Sequence, residues 1–171
     1  MKIFVTSNLQ LGRPGAIKKY NRSYTDVDQM TNDLILKWNT VVKPEDTVYH
    51  LGNFAHDPKT AQDSLNRLNG TIRFLEGDLD QALLTLSDRN MLPSTCSIVK
   101  CVTFLESINC SLSYWPLGAW PKKSSKSWSI IGYPEKRHKS DPKSRIINVS
   151  TDLWENTPQE LEKLLGIFSD F

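Results

Sequence analysis

Residues 3–6 (Ile-Phe-Val-Thr) are a short run of β-formers that breaks at Ser7-Asn8, which predicts a first core strand. From 26 to 42 the apolar positions Met30, Leu34, Leu36, Trp38 and Val41-Val42 recur close to helical spacing, so a helix is predicted there. Pro44-Glu45-Asp46 reads as a turn, and 47–51 (Thr-Val-Tyr-His-Leu) as a second strand ending at Gly52. A helix is predicted over 58–68, opened by Asp57 and stopped by Asn69-Gly70. Residues 71–76 then read as a third strand ending at Gly77. Strands alternating with helices in this way predict an α/β core whose strand-end loops converge on one place.

The second half changes character. Segments 97–105 and 108–113 are strand-like, with Asn109 near the joining turn, and 128–131 and 145–149 add two short strands. Between them, 116–127 and 134–144 are rich in Pro, Ser and Lys and read as loops. A closing helix is expected over 158–168, with Pro158 in its first turn and Leu161, Leu164 and Leu165 on one face. No repeat or linker divides the chain, so 1–171 is expected to form a single domain.

Composition narrows the class. A chain of 171 residues with 39% hydrophobic and 23% charged positions suits a globular protein able to bury a sizeable core. No apolar run approaches the roughly 18 residues of a membrane span, and the amino end turns polar too soon for a signal peptide. A cytoplasmic setting without membrane contact is the expectation. Cys96, Cys101 and Cys110 are odd in number and lack C-x-x-C spacing, which predicts reduced, partly buried thiols. A formal charge of +2 does not by itself argue for nucleic acid. There is no G-x-S-x-G elbow and no phosphate-binding G-x-x-x-x-G-K-S/T loop.

Three strand-end signatures stand out together: Ser7-Asn8-Leu9-Gln10-Leu11-Gly12, Leu51-Gly52-Asn53-Phe54-Ala55 and Glu76-Gly77-Asp78-Leu79-Asp80. Further on lie Leu112-Ser113-Tyr114-Trp115-Pro116, Ile131-Gly132-Tyr133-Pro134-Glu135 and Asn148-Val149-Ser150-Thr151-Asp152-Leu153-Trp154. In this order they resemble the blocks of the calcineurin-like metallophosphoesterases, S-D-x-H-x-G, L-G-D-x-x, G-N-H-D, L-S-H-x-P, G-H-x-H and N-V-x-x-D-x-W. The short single-domain members found in bacteria and phages are the nearest in pattern. The resemblance implies a four-layer α-β-β-α sandwich with two divalent metals at the strand ends, where they activate a water against a phosphate ester.

The residues that would carry that chemistry depart from the pattern. The resemblance puts the metal-binding aspartate and histidine of the first block on Asn8 and Gln10, and the metal-bridging aspartate on Asn53. The third block's asparagine and histidine fall on Asp78 and Leu79, and the later histidines on Tyr114, Tyr133 and Glu135. An amide brings no charge to bridge two cations, and a leucine offers no donor. A phenol, which titrates near pH 10, is a poor ligand at neutrality. Outside these positions the chain's histidines are His50, read as structural or hydrogen-bonded, His56 in a loop, and His138 in a basic loop.

The leading expectation is therefore a catalytically inactive metallophosphoesterase-like protein, without metal cofactor, that binds a partner protein. The resemblance to short members implies a phage-encoded protein, with a host or virion protein as partner and host cytoplasm or virion as its place. Tyr114 and Tyr133 are expected to fill the old cavity. Arg13, within the turn-like Gly12-Arg13-Pro14-Gly15, Trp115 and Trp120 are candidate contacts at its mouth, and Lys122, Lys123 and Lys126 of the basic loops are further candidate partner contacts. Two alternatives stand: a residual phosphohydrolase with one metal at Asp78, Asp80 and Glu135, and a nucleic-acid binder using the basic loops of 122–145.

Overall fold

The structure is a computed structural model describing residues 1–134 and 139–169. In chain order the elements begin with β1 (Ile3–Thr6), α1 (Pro14–Tyr20), α2 (Val27–Val41), β2 (Thr47–Leu51), α3 (Pro58–Leu65), β3 (Thr71–Leu75) and α4 (Gln81–Asp88). The second half runs β4 (Cys96–Ile98), β5 (Val102–Leu105), β6 (Cys110–Ser113), β7 (Trp128–Ile131), β8 (Ile146–Asn148), β9 (Gln159–Glu160) and α5 (Leu161–Ser169). Among the described residues, the fold is mixed α/β, with five α-helices and two mixed sheets.

The first sheet has the order β4-β3-β2-β1-β9, with β1 to β4 parallel and β9 antiparallel along β1. The second has the order β5-β6-β7-β8, a β5–β6 hairpin extended by parallel β7 and β8. Period-two alternation sends the side chains of the first sheet to two different cores. Phe4, Val48, Ile72 and Phe74 pack with Met30, Leu34, Trp38, Ala61, Leu83 and Leu86 from the helices. Val5, Leu51 and Leu75 pack instead with Leu112, Ile130 and Ile147 of the second sheet and with Leu161 and Leu164 of α5. Each fully buried side chain of this kind contributes roughly 1.5–3 kcal/mol, so the two cores hold both sheets in register.

The starts of α2 and α3 follow their sequence signals, whereas α5 begins at Leu161, because Gln159 and Glu160 pair with β1 and leave Pro158 outside the helix. Asp26 accepts the Gln29 backbone N–H at 2.8 Å, and Gln29 Oε1 reaches back to the Thr25 N–H at 2.8 Å. Asp57 caps α3 in the expected way, accepting the Thr60 N–H at 3.0 Å with Pro58 in the first turn. That helix stops at Leu65, short of the expected 68, and Gly70 takes a left-handed φ of 94° just before β3. The segment around Arg13-Pro14-Gly15 is not merely a turn: Pro14 opens α1, which ends on a left-handed Asn21. The strand expected over 97–105 is two strands in different sheets, because the chain crosses from one sheet to the other between Ile98 and Val102. Among the described residues, no helix is long and apolar enough to cross a membrane.

Candidate functional site

The parallel strands point their carboxyl ends at one place, and there the backbone leaves the ordinary regions. Asn8, Gln10 and Asn53 all have left-handed φ values, 59°, 51° and 63°. Asparagine tolerates this conformation, whereas for other side chains it costs about 1–2 kcal/mol. The loops after β1 and β2 are laced together by Asn8 N–H to the Gly52 carbonyl at 2.9 Å and Gln10 N–H to the Asn53 carbonyl at 3.0 Å. The second sheet comes in closely: a Cβ at Gly132 would collide with the Leu51 carbonyl, so only glycine fits there.

Within this junction the side chains form a continuous hydrogen-bonded network. Leu79 donates its backbone N–H to Asn53 Oδ1 at 2.9 Å. Asn53 Nδ2 then donates to Asn8 Oδ1 at 3.0 Å and to Tyr114 Oη at 2.9 Å. From Asn8, Nδ2 donates to the Gly132 carbonyl, to Ser7 Oγ at 3.0 Å and to Ser150 Oγ at 3.2 Å. Tyr114, having accepted from Asn53, donates to Asp78 Oδ1 at 2.6 Å. Its direction is fixed at both ends, since a backbone N–H can only donate and a carbonyl can only accept. The network ties the ends of β1, β2 and β3 to those of β6 and β7.

Charges lie around this neutral centre. Asp80 is buried, and its two oxygens accept the N–H groups of Asn53, Phe54 and Gly77 at 2.7, 2.8 and 2.7 Å. Burial pushes its carboxyl above the usual range, and the three N–H donors offset that only in part. Burial likewise pushes the Tyr114 phenol far up, reinforced by its bond to Asp78, so it stays a neutral donor. Arg22 is buried and donates to the carbonyls of Leu9 at 2.8 Å and Asn8 at 2.7 Å, while gripping Asp152 through Nε at 2.7 Å and Nη2 at 3.0 Å. This bidentate pair joins the first site loop to the terminal block. Gln10 donates Nε2 to Tyr20 Oη at 2.8 Å, and among the described residues its buried Oε1 has no hydrogen-bond partner.

These residues do not fit the two-metal centre that the resemblance implies. The amide groups turn N–H donors as well as oxygens into the junction, and Asn8 and Asn53 spend their Oδ1 atoms on N–H donors. Among the described residues, no three His, Cys, Asp or Glu side chains converge. In the single-metal alternative of Asp78, Asp80 and Glu135, the Asp80 oxygens already accept three backbone N–H groups. Glu135 and His138 lie outside the described residues.

Of the other expected residues, Tyr114 is fully buried and occupies the junction. Tyr133 is half-buried and packs at 5.6 Å from Tyr114 and 5.2 Å from Trp115. Trp115 meets Tyr114 edge-on at 4.8 Å and is 47% exposed. Leu79 is half-buried and serves through its backbone. Arg13 is half-buried, and among the described residues its Nε has no hydrogen-bond partner. Trp120 is a correction: it is only 7% exposed, donates to the Ser127 carbonyl at 3.2 Å and holds its own loop together. Lys122, Lys123 and Lys126 precede β7, so they lie toward the end of the second sheet opposite the junction. His50 is structural but not hydrogen-bonded: it is fully buried against Phe54 and Phe74 with neither ring nitrogen partnered, and burial lowers its pKa to about 3. The three cysteines are free thiols, with Cys101 exposed.

Sequence reasoning missed Arg22, Ser150 and the role of Gly132. A motif made of backbone carbonyls and a glycine's missing side chain leaves little to read. Asp152 was visible within the terminal block, but its partner lies 130 residues away.

No family model matches the chain. It is similar to the uncharacterized protein MJ1445 of Methanocaldococcus jannaschii, with 36% identity over 83 residues. That match covers 47% of this chain and 47% of the archaeal protein, so about half of the relative's length is spanned. A solved structure of similar fold is the protein of unknown function AQ665 from Aquifex aeolicus, with a TM-score of 0.72 and 16% identity, covering 97% of this chain and 98% of that one.

Proposed function

We propose that this chain is a metallophosphoesterase-like protein that has exchanged a two-metal centre for a neutral hydrogen-bonded network and acts by binding a partner protein. The observation that carries this reading is the network from the Leu79 N–H through Asn53 and Asn8 to the Gly132 carbonyl. An active centre must keep ligand oxygens open to cations and water. Here the amide and phenol groups satisfy one another instead. The finer architecture, a four-layer sandwich, is part of the proposal. It is supported by the helices on one face of the first sheet and the second sheet on the other.

The contact face in this reading centres on Trp115, an exposed aromatic side chain backed by Tyr114 and Tyr133, the arrangement expected of an interface anchor. The test has two arms. Purified protein should hold no stoichiometric Mn, Fe or Zn and should show no metal-stimulated phosphodiester hydrolysis; turnover abolished by a chelator would overturn the reading. In cross-linked native cells, a specific protein should be recovered with the unaltered chain and lost with Trp115→Ser. Identical recovery with both would remove Trp115 from the interface.

A further inference from the structure

The amino ends of β7 and β8 hold a second candidate site, away from the junction. A cavity of about 500 Å³ is lined there by Trp120, Trp128, Lys123, Lys126, Lys143 and Arg145, with Phe168 of α5 closing one side. β7 enters this cavity with Trp128 and leaves at Ile131 beside the junction. A four-residue strand spans roughly 13 Å, so the two places occupy opposite ends of one sheet.

The tryptophans do not serve as stacking platforms. Trp120 and Trp128 are 7% and 6% exposed, and each carries a cation on its face. Lys123 Nζ sits 4.4 Å from the Trp120 ring centre and donates to the Gly118 carbonyl at 3.0 Å. Arg145 Cζ sits 4.8 Å from the Trp128 ring centre, with Nη1 donating to the Lys126 carbonyl at 2.8 Å. Aromatic faces and carbonyls thus hold two cations in place, which lowers the ordering cost of binding. Lys126 and Lys143 are exposed. Among the described residues, no carboxylate lines the cavity. Asp141, the nearby acidic residue in sequence, accepts from Ser144 Oγ and the Lys143 N–H. Lys122 belongs elsewhere, paired with Glu106 and lying over Phe104.

We propose that this cleft binds a compact chain of phosphate groups, such as inorganic tripolyphosphate or the triphosphate of a nucleotide. Its volume falls within the roughly 300–1,000 Å³ of small-ligand sites. Four cations around one such volume favour a dense polyanion, and both guanidinium and ammonium groups pair strongly with phosphate oxygens. An acidic peptide would spread its charge beyond the cavity, and nucleic-acid bases would find the tryptophan faces already covered.

Titration calorimetry on the full chain at low salt tests this, with tripolyphosphate, ATP, oligothymidylate and oligoglutamate as probes. Tripolyphosphate should bind, with ATP comparable. The Lys126→Gln/Lys143→Gln double variant should weaken it by about tenfold or more, the loss of two charge-assisted contacts. A control of equal charge, Lys43→Gln/Lys59→Gln, should stay within about twofold, because screened distant charges contribute little. Equal loss in both variants, no binding of tripolyphosphate, or tighter binding of oligothymidylate or oligoglutamate would each overturn the proposal. None of these results depends on whether the junction binds a protein.

Discussion

At the carboxyl ends of β6 and β7, Tyr114 and the Gly132 carbonyl enter a network of neutral amides, and a buried acid beside it, Asp80, is met by three backbone N–H groups. At the amino ends of β7 and β8, four cations share a cavity that no described carboxylate lines. The amides and phenol of the first end pair with one another, with Gln10 Oε1 left over, whereas the second leaves a cluster of charge to be met from outside. Clustered like charge marks a place built to receive something, whereas a paired network holds the fold together.

The contrast can be broken most severely at Asn53. Asn53→Leu should cost about 4 kcal/mol in urea unfolding, since it orphans the Leu79 N–H and Asn8 Oδ1 and puts a branched side chain at a positive φ. A loss below about 1 kcal/mol would mean that the network does not join the sheets. Next comes pH. The folded pKa of His50, about 3, lies below the ordinary 6.5, so the unfolded chain binds the extra proton between these values. The contribution is therefore fully present above about pH 6.5 and is lost as pH falls toward about 3, with a total on the order of 4 kcal/mol. A His50→Leu variant should lose that slope when stability is followed against pH.

Smaller effects sharpen the comparison further. Asp80→Asn should cost about 2–3 kcal/mol by chemical denaturation, because an amide cannot accept all three N–H groups without turning a donor toward them. Tyr114→Phe should cost about 1–2 kcal/mol, removing one acceptor from Asn53 and one donor to the exposed Asp78. At the other end, the Lys126→Gln/Lys143→Gln variant should change stability by less than about 0.5 kcal/mol, as exposed lysines do. A large destabilisation there would make the cations part of the scaffold.

Much of the first sheet was legible because each strand ends at a polar or glycine break. Residues 3–6 and 47–51 lie where the runs of β-formers and their breaks put them, and 71–76 overshoots β3 by a single residue. The α1 helix hid behind Pro14-Gly15, a pair that reads as a turn although proline suits a helix start. Ala82, Leu83 and Leu86 of α4 carried a helical spacing that the neighbouring strand-end block overshadowed. β9 is only two residues long, too short for any periodicity. At the junction, the positions Asn8, Asn53, Asp78 and Tyr114 were legible as a set and meet in space. Their hydrogen-bond partners were not, because half of them are backbone groups without a residue-type signature. Trp120 misled since a tryptophan in a polar loop looks the same in sequence whether it faces solvent or pins the loop down.

The antiparallel pairing of Phe4 with Glu160 and Val5 with Gln159 gives β1 its last neighbour from nearly the other end of the chain. On a ribosome, β1 must keep this side of its backbone unmet until more than a hundred further residues have followed. Throughout that interval its open N–H and C=O groups remain a template for any extended segment nearby. Translation itself thus sets the time at which this molecule stops being vulnerable to strand capture.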